Sequence, residues 1–318
     1  MNFALMEIIL NSYAVIYLIR MSQMVMERHK KIKTEQTVAQ VVNKVFEIEQ
    51  AALKYPMEKA LAIRATYDDF VGTVADIVRS EVPDLRNEED LFIMVSSVAY
   101  SNADIQYETR AALMQGLEGE SFSLNCYSSA VLFSDVLSRL GVNVTVIKTP
   151  DHILLSGRQF GFETTADPEE SVYSVNKIRS LYAVRQEGSP ELLASSAYLF
   201  AGMILVKQGE HAAAAEAYEK ALAINPKDPE VLFNLGVAYF NVKRYDEAIK
   251  TYAKSIQADP NNGEAYFGMG AAYFNKREYG MAKKHYEASL KKKRANTPDS
   301  KVREYIKKSE DAAKKFGR

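Results

Sequence analysis

The chain has one cysteine, no tryptophan and four histidines in 318 residues. A single cysteine excludes an internal disulfide framework. His29, His152, His211 and His285 are scattered without metal-ligand spacing, so no metal site is expected. No glycine-rich phosphate loop occurs, and no cofactor site is expected. Long apolar runs are also missing. The nearest is Phe3 to Ile19, which Glu7 and Asn11 interrupt. It is short for a span of about 20 residues, and a central carboxylate would cost about 3 kcal/mol. No basic segment precedes it and no small-residue cleavage site follows, which argues against a secretory signal. Residues 1–34 are therefore read as an N-terminal apolar helix that packs or lies peripherally, in a cytoplasmic protein. Membrane contact through residues 1–20 is the alternative, and Arg20, Arg28, Lys30, Lys31 and Lys33 would then keep the body on the cytoplasmic side.

Net charge is −1, which gives no overall pull toward nucleic acid, and no specific nucleic-acid partner is expected. The charge is uneven. Residues 276–318 carry fifteen Lys and Arg against six Asp and Glu, so this tail is +9 and the remainder −10. A basic solvated helix explains the tail. Of all residues, 47% are hydrophobic, enough at this length for one globular core and a short solenoid.

From Glu35 to Arg79 the pattern is amphipathic and helical. Val38, Val41, Val42, Val45 and Phe46 form one apolar stripe, with Pro56 and Pro83 as punctuation. A second helix is expected from Cys126, because Val131, Leu132, Val136, Leu137 and Leu140 recur at helical spacing and Gly141 supplies a stop. Cys126 then lies in the first turn, where Ser123 or Asn125 can cap and unpaired amides favour a thiolate. The same amides suit an oxyanion. Val142 to Thr149 alternates and is β-branched, so it reads as one strand that ends at Pro150.

Two further runs, His152 to Ser156 and Gln159 to Thr165, flank Gly157-Arg158, a pair suited to a two-residue hairpin turn. That register sets Leu154 opposite Gly161 and His152 opposite Glu163. Ile153, Leu155, Phe160 and Phe162 face the core. Cys126, His152 and Glu163 then supply a nucleophile, a base and an orienting acid. Asp167 is the other candidate acid. Convergence of sulfur and ring requires the Cys126 helix to pack on the hairpin's polar face. The plain alternative is an inert, small apolar cysteine.

The run Cys126-Tyr-Ser-Ser-Ala-Val-Leu-Phe-Ser-Asp-Val-Leu-Ser-Arg-Leu-Gly, then Pro150-Asp-His152, then Phe162-Glu163-Thr-Thr, resembles the core of transglutaminase-like, papain-related cysteine hydrolases. The resemblance covers about residues 90–170. It implies Cys126 as nucleophile, His152 as general base and Glu163 as acid. The sequence departs from that family in having glutamate where aspartate is commoner, and in lacking the tryptophan often found beside the histidine.

A second pattern repeats every 34 residues: Gly202, Gly236 and Gly270; Ala214, Ala248 and Ala282; Tyr218, Tyr252 and Tyr286; with Pro226 and Pro260 closing the first two units. This resembles three tetratricopeptide repeats over about residues 195–296. Small residues let paired helices approach, and tyrosines fill the space between neighbours. A last helix, about 300–316, is expected to cap the array. The resemblance implies that the first helix of each pair lines a groove presenting Phe233, Phe240, Phe267 and Phe274 with Glu230 and Glu264. Such a surface suits an apolar or helical peptide with basic flanks. The lysine and asparagine clamp of repeats that hold acidic tails is not matched, since only Asn234 falls in place.

The expected fold class is α+β. A helix-rich, transglutaminase-like domain with a small antiparallel sheet (35–188) precedes an all-α tetratricopeptide solenoid with its capping helix (189–318). The expected function is a cysteine-dependent amide hydrolase or acyl transferase with a protein-binding repeat domain. The alternative is a non-catalytic adaptor whose hydrolase-like residues are structural.

Overall fold

The computed structural model describes residues 37–82, 84–102, 105–107, 122–124, 126–149, 152–163, 172–182, 184, 186–292 and 296–316. The apolar segment 1–34 and Asp167 lie outside the described residues. Two compact units are present. One contains 37–44 and Leu61–Pro190, the other Val45–Ala60 and the chain from Glu191 onward. Among the described residues no helix is long and apolar enough to cross a membrane.

Helix α1 (37–53) contributes to both units. The stripe of Val38, Val41, Val42, Val45 and Phe46 is buried along its length, as its spacing dictates. It ends at Lys54, whose φ is +56°. Next come α2 (Met57–Glu81) and α3 (Glu88–Asn102). Two short strands, β1 (Ile105–Tyr107) and β2 (Phe122–Leu124), pair in parallel.

Helix α4 (Cys126–Arg139) is the centre of the first unit, and every residue from Tyr127 to Ser138 is buried. It ends as its residues indicate. Gly141 takes φ +80°, its N–H donates to the Ser138 carbonyl, and the Val142 N–H donates to the Leu137 carbonyl. This is the paired-bond helix stop that glycine enables.

Strands β3 (Thr145–Lys148), β4 (Ile153–Ser156), β5 (Phe160–Glu163), β6 (Val172–Ser174) and β7 (Gln186–Gly188) form one antiparallel sheet in the order β6-β5-β4-β3-β7. Helix α5 (Val175–Leu181), capped by the Ser174 hydroxyl, follows β6. Strand β3 begins three positions later than expected, because Val142 is already used by the stop of α4.

The hairpin also differs from expectation. Gly157 N–H bonds to the Phe160 carbonyl, so the turn residues are Arg158-Gln159 rather than Gly157-Arg158. Each strand slides by one residue, and Leu154, not His152, lies opposite Glu163. The cause is Glu88 at the start of α3. Its carboxylate accepts from the N–H groups of Arg158 (2.8 Å), Gln159 (2.7 Å) and Phe160 (3.1 Å), which fixes a turn that local residue preference does not favour.

One sheet face carries Val146, Leu155 and Phe162, all fully buried. Phe162 packs on Phe92 of α3 at 5.1 Å and on Phe133 of α4 at 5.5 Å between ring centroids. The opposite face holds Ile147 and Leu154 against Ile178 of α5. Gly161 permits this close approach, since a Cβ there would lie 2.7 Å from the Ile178 side chain.

In the second unit α6 (Glu191–Lys207) pairs with α7 (His211–Ile224), α8 (Pro229–Asn241) with α9 (Tyr245–Ala258), and α10 (Gly263–Asn275) with α11 (Tyr279–Leu290); α12 (Asp299–Phe316) follows. The 34-residue period has a direct packing meaning. A Cβ at Gly202, Gly236 or Gly270 would lie 2.3, 2.6 or 2.8 Å from the ring of Tyr218, Tyr252 or Tyr286. Each glycine of a first helix is therefore the seat of a tyrosine from the second. The turn inside each pair repeats as well, with positive φ at Gly209, Lys243 and Arg277. Asp228 and Asn262 cap α8 and α10 at the same interval.

Candidate functional site

Cys126 opens α4 and is partly exposed. The amides of Ile153, Tyr127 and Cys126 lie near enough to its sulfur to favour the thiolate, so the thiol lies beside the backbone of the residue that follows His152. This proximity arises differently from the expected route. Helix α4 packs on the apolar face of the sheet through Phe133 and Phe162. The thiol comes beside the start of β4 because it stands at the very end of the helix.

His152 Nδ1 lies 3.0 Å from Glu163 Oε1, with the two side chains 32% and 15% exposed. The oxygen sits off the ring's N–H direction, so the contact is an electrostatic pairing more than a straight hydrogen bond. The shifted register explains this slant. His152 precedes β4 and meets Glu163 diagonally, across the pair formed with Leu154.

The second oxygen of Glu163 is held too. Tyr182 donates its hydroxyl to Glu163 Oε2 at 2.6 Å, and its ring meets the His152 ring edge-on at 6.0 Å. Burial, then the Glu163 carboxylate, pushes the Tyr182 hydroxyl well above the ordinary phenol range, so it stays a donor.

The Cys126 thiol differs from expectation. Burial pushes it up, the amides of Ile153, Tyr127 and Cys126 oppose this, and the negative Glu163 adds to the rise. Desolvation thus outweighs the helix start and favours the neutral thiol. Among the described residues no group of three or more His, Cys, Asp or Glu side chains is arranged to hold a metal ion.

The repeat surface is the other candidate. Phe233, Asn234, Val237 and Phe240 share one half-exposed strip of α8, and Glu230 beside them is exposed. Phe233 leans on Tyr252 at 6.0 Å and Phe240 on Tyr245 at 5.6 Å. The corresponding residues of α10 are already engaged. Phe267 and Phe274 pack on Tyr305 of α12 at 5.5 and 6.5 Å. Glu264 accepts from the N–H groups of Asn296 and Thr297 and from the Thr297 hydroxyl. At the other end, Ser196 and Leu199 of α6 are buried. The six residues expected to form one partner surface therefore divide into Glu230, Phe233 and Phe240, which lie on α8 and are exposed or half-exposed, and Glu264, Phe267 and Phe274, which seat the chain's own last helix and the residues before it.

Residues 199–263 and 251–284 match tetratricopeptide repeat family models. The second unit is a tetratricopeptide array. Its matched segment covers two and a half turns of the 34-residue period, and α12 closes it in the position of a further first helix. The chain is similar to the Sgt2 TPR domain from Aspergillus fumigatus (22% identity over 39% of this chain and 82% of that one, TM-score 0.36). It is also similar to the first TPR domain of the human RPAP3 protein (25%, 38% and 93%, TM-score 0.36) and to MamA MSR-1 (28%, 39% and 67%, TM-score 0.34). No curated protein matches the chain.

Two residues important to these sites carry no pattern in the sequence. Tyr182 follows Glu163 by 19 positions and reaches it only because α5 folds back over the sheet. Glu88 lies 70 residues before the turn it holds.

Proposed function

We propose that this protein is an adaptor whose tetratricopeptide array holds a short amphipathic helix or apolar peptide along α8. Tetratricopeptide repeats are protein-binding scaffolds, and the observation that favours this site is the strip of Phe233, Asn234, Val237 and Phe240. It is half-exposed, whereas Phe267 and Phe274 of α10 pack on α12 and Ser196 and Leu199 at the corresponding end of α6 are buried. Apolar residues at helical spacing suit the apolar face of a peptide, and exposed Glu230 suits a basic residue at one end. A peptide library displayed against the purified protein tests this. Enriched sequences should be amphipathic and basic at one end, and should lose at least about tenfold in affinity with Phe233→Asp. Binding indifferent to Phe233 and Phe240 would refute the placement.

A second reading is favoured by the placement of His152 against Glu163 and of the Cys126 thiol beside the amide of Ile153, the residue after His152. In it, the first unit, 37–44 with Leu61–Pro190, is a transglutaminase-like domain that performs thiol-based acyl transfer. His152 takes the thiol proton as sulfur attacks a carbonyl carbon, then returns it to the departing amine as the C–N bond breaks. Water or a second amine then releases the acyl group from the thioester. The amides of Cys126 and Tyr127, at the helix start, are suited to the developing oxyanion. Iodoacetamide labelling at near-neutral pH separates the readings. Acyl-transfer chemistry requires labelling of Cys126 to fall at least about tenfold in His152→Ala, whereas a structural thiol labels at the same slow rate in both proteins.

A further inference from the structure

Three features of the first unit have no part in either reading. An open pocket lies between the end of α2 and α3, lined by Glu81, Asp84, Asp90, Ile93 and Met94. A charge network joins Arg64, Asp68, Asp135 and Arg139, with Tyr67 donating to Asp135 at 3.1 Å. Tyr182 stands against Glu163. The pocket has no feature that names an occupant, and the network's two guanidiniums are balanced by its two carboxylates. Tyr182 carries more.

We propose that Tyr182 is a positioning residue of the Cys126, His152 and Glu163 site: its hydroxyl pins one oxygen of Glu163 so that the other stays against Nδ1 of His152. The inference rests on the second reading above and deepens it. Glu163 ends β5, and a carboxylate at the last residue of a strand has free rotamers unless something holds it. His152 cannot hold it alone, because that contact is slanted. Tyr182 supplies a hydrogen bond, at 2.6 Å.

The tyrosine is itself fixed. It is the C-cap of α5, its N–H bonded to the Ile178 carbonyl at 2.9 Å, and its ring packs with Val184 and Tyr173 on the cluster of Ile147, Leu154 and Ile178. Packing thus fixes the donor before the carboxylate arrives, which is how a supporting residue confers precision on a site. A clamped carboxylate keeps the imidazole in one orientation and stabilises its charged form each time it takes the thiol proton. The titratable groups facing this point are Glu163 of β5, His152 before β4, Cys126 of α4 and Tyr173 of β6.

Tyr182→Phe removes the hydroxyl and keeps the packed ring, so the fold is preserved while the clamp is lost. The test is the titration of the His152 ring followed by proton NMR in the full chain, compared among wild type, Tyr182→Phe, Glu163→Gln and the double variant. The midpoint should fall by about half a unit or more in Tyr182→Phe, in the same direction as in Glu163→Gln. Adding Tyr182→Phe to Glu163→Gln should move it no further. An unchanged or raised midpoint in Tyr182→Phe, or full additivity in the double variant, overturns the proposal. This readout does not depend on activity. If Cys126 labelling is indifferent to His152→Ala while the midpoint still falls, the acyl-transfer reading fails and the clamp stands. If labelling needs His152 but the midpoint does not move, the clamp fails and the reading stands.

Discussion

Three backbone N–H groups in one hairpin turn, those of Arg158, Gln159 and Phe160, are satisfied by the single carboxylate of Glu88. Bonds of this kind to a charged acceptor contribute about 1.5–3 kcal/mol each in favourable settings, less where water competes. Glu88→Gln keeps the size and removes the charge, and should cost about 1–3 kcal/mol in a urea unfolding experiment. An unchanged midpoint would mean that the turn is held by its strands alone. Cys126 supplies a second residue-scale expectation, through its acidity. Burial raises the folded thiol above its unfolded value, so the neutral form is the one that folding favours. That contribution is fully present below the unfolded thiol's range, near about pH 8.5, and is lost as pH rises through the folded value. Wild type should therefore lose more stability between about pH 8 and 10 than Cys126→Ala does. Parallel losses in the two proteins would show that the thiol's environment is not apolar.

At the scale of elements, the same chemistry of a glycine has opposite consequences in two helices. Gly236 of α8 is the seat of the Tyr252 ring, and Tyr252 is 2% exposed, with nowhere to move. Gly236→Ala should cost about 2 kcal/mol through forced repacking. Gly280 of α11 has nothing within 4 Å of the point where an alanine methyl would stand, so Gly280→Ala should stabilise by about 0.5 kcal/mol through lost unfolded-state freedom. Thermal unfolding of the two variants checks both signs, and equal shifts would contradict the packing explanation. These elements also show what a sequence discloses. The repeat helices were legible because each glycine, alanine and tyrosine recurs where the same contact recurs. Helix α4 and its stop at Gly141 were legible because apolar spacing and glycine chemistry are local. The hairpin register was not, because Glu88 overrides the local preference of Gly157-Arg158 from 70 residues away. Nor was the acidity of Cys126, where helix-start electrostatics is local and the stronger effect, burial, depends on the whole unit.

For the whole molecule, two units of different construction lie in one chain: a sheet with helices on both faces, and a tetratricopeptide array. The array is more than its three repeats. Residues Val45–Ala60 belong to it although they precede the sheet in sequence; Gln208 donates to the Ala52 carbonyl at 3.2 Å, and Lys54 pairs with Glu210. At the far end α12 lays Val302, Tyr305 and Ile306 against Ala282 and Tyr286. A short solenoid exposes apolar surface at both ends unless something covers it, and here the chain covers its own. The far cap was legible, through the lysine-rich face after Pro298. The near one was not, since nothing in residues 45–60 repeats with a 34-residue period. The proposed partner site is the strip on α8, and the proposed adaptor function stands or falls with a peptide being held there. Fluorescence anisotropy decides it, with a library-selected, labelled peptide titrated with the full chain and with the Phe233→Asp, Phe240→Asp double variant. Binding to the full chain should be saturable and should weaken at least about tenfold in the variant; equal affinity for both proteins would refute a site on α8.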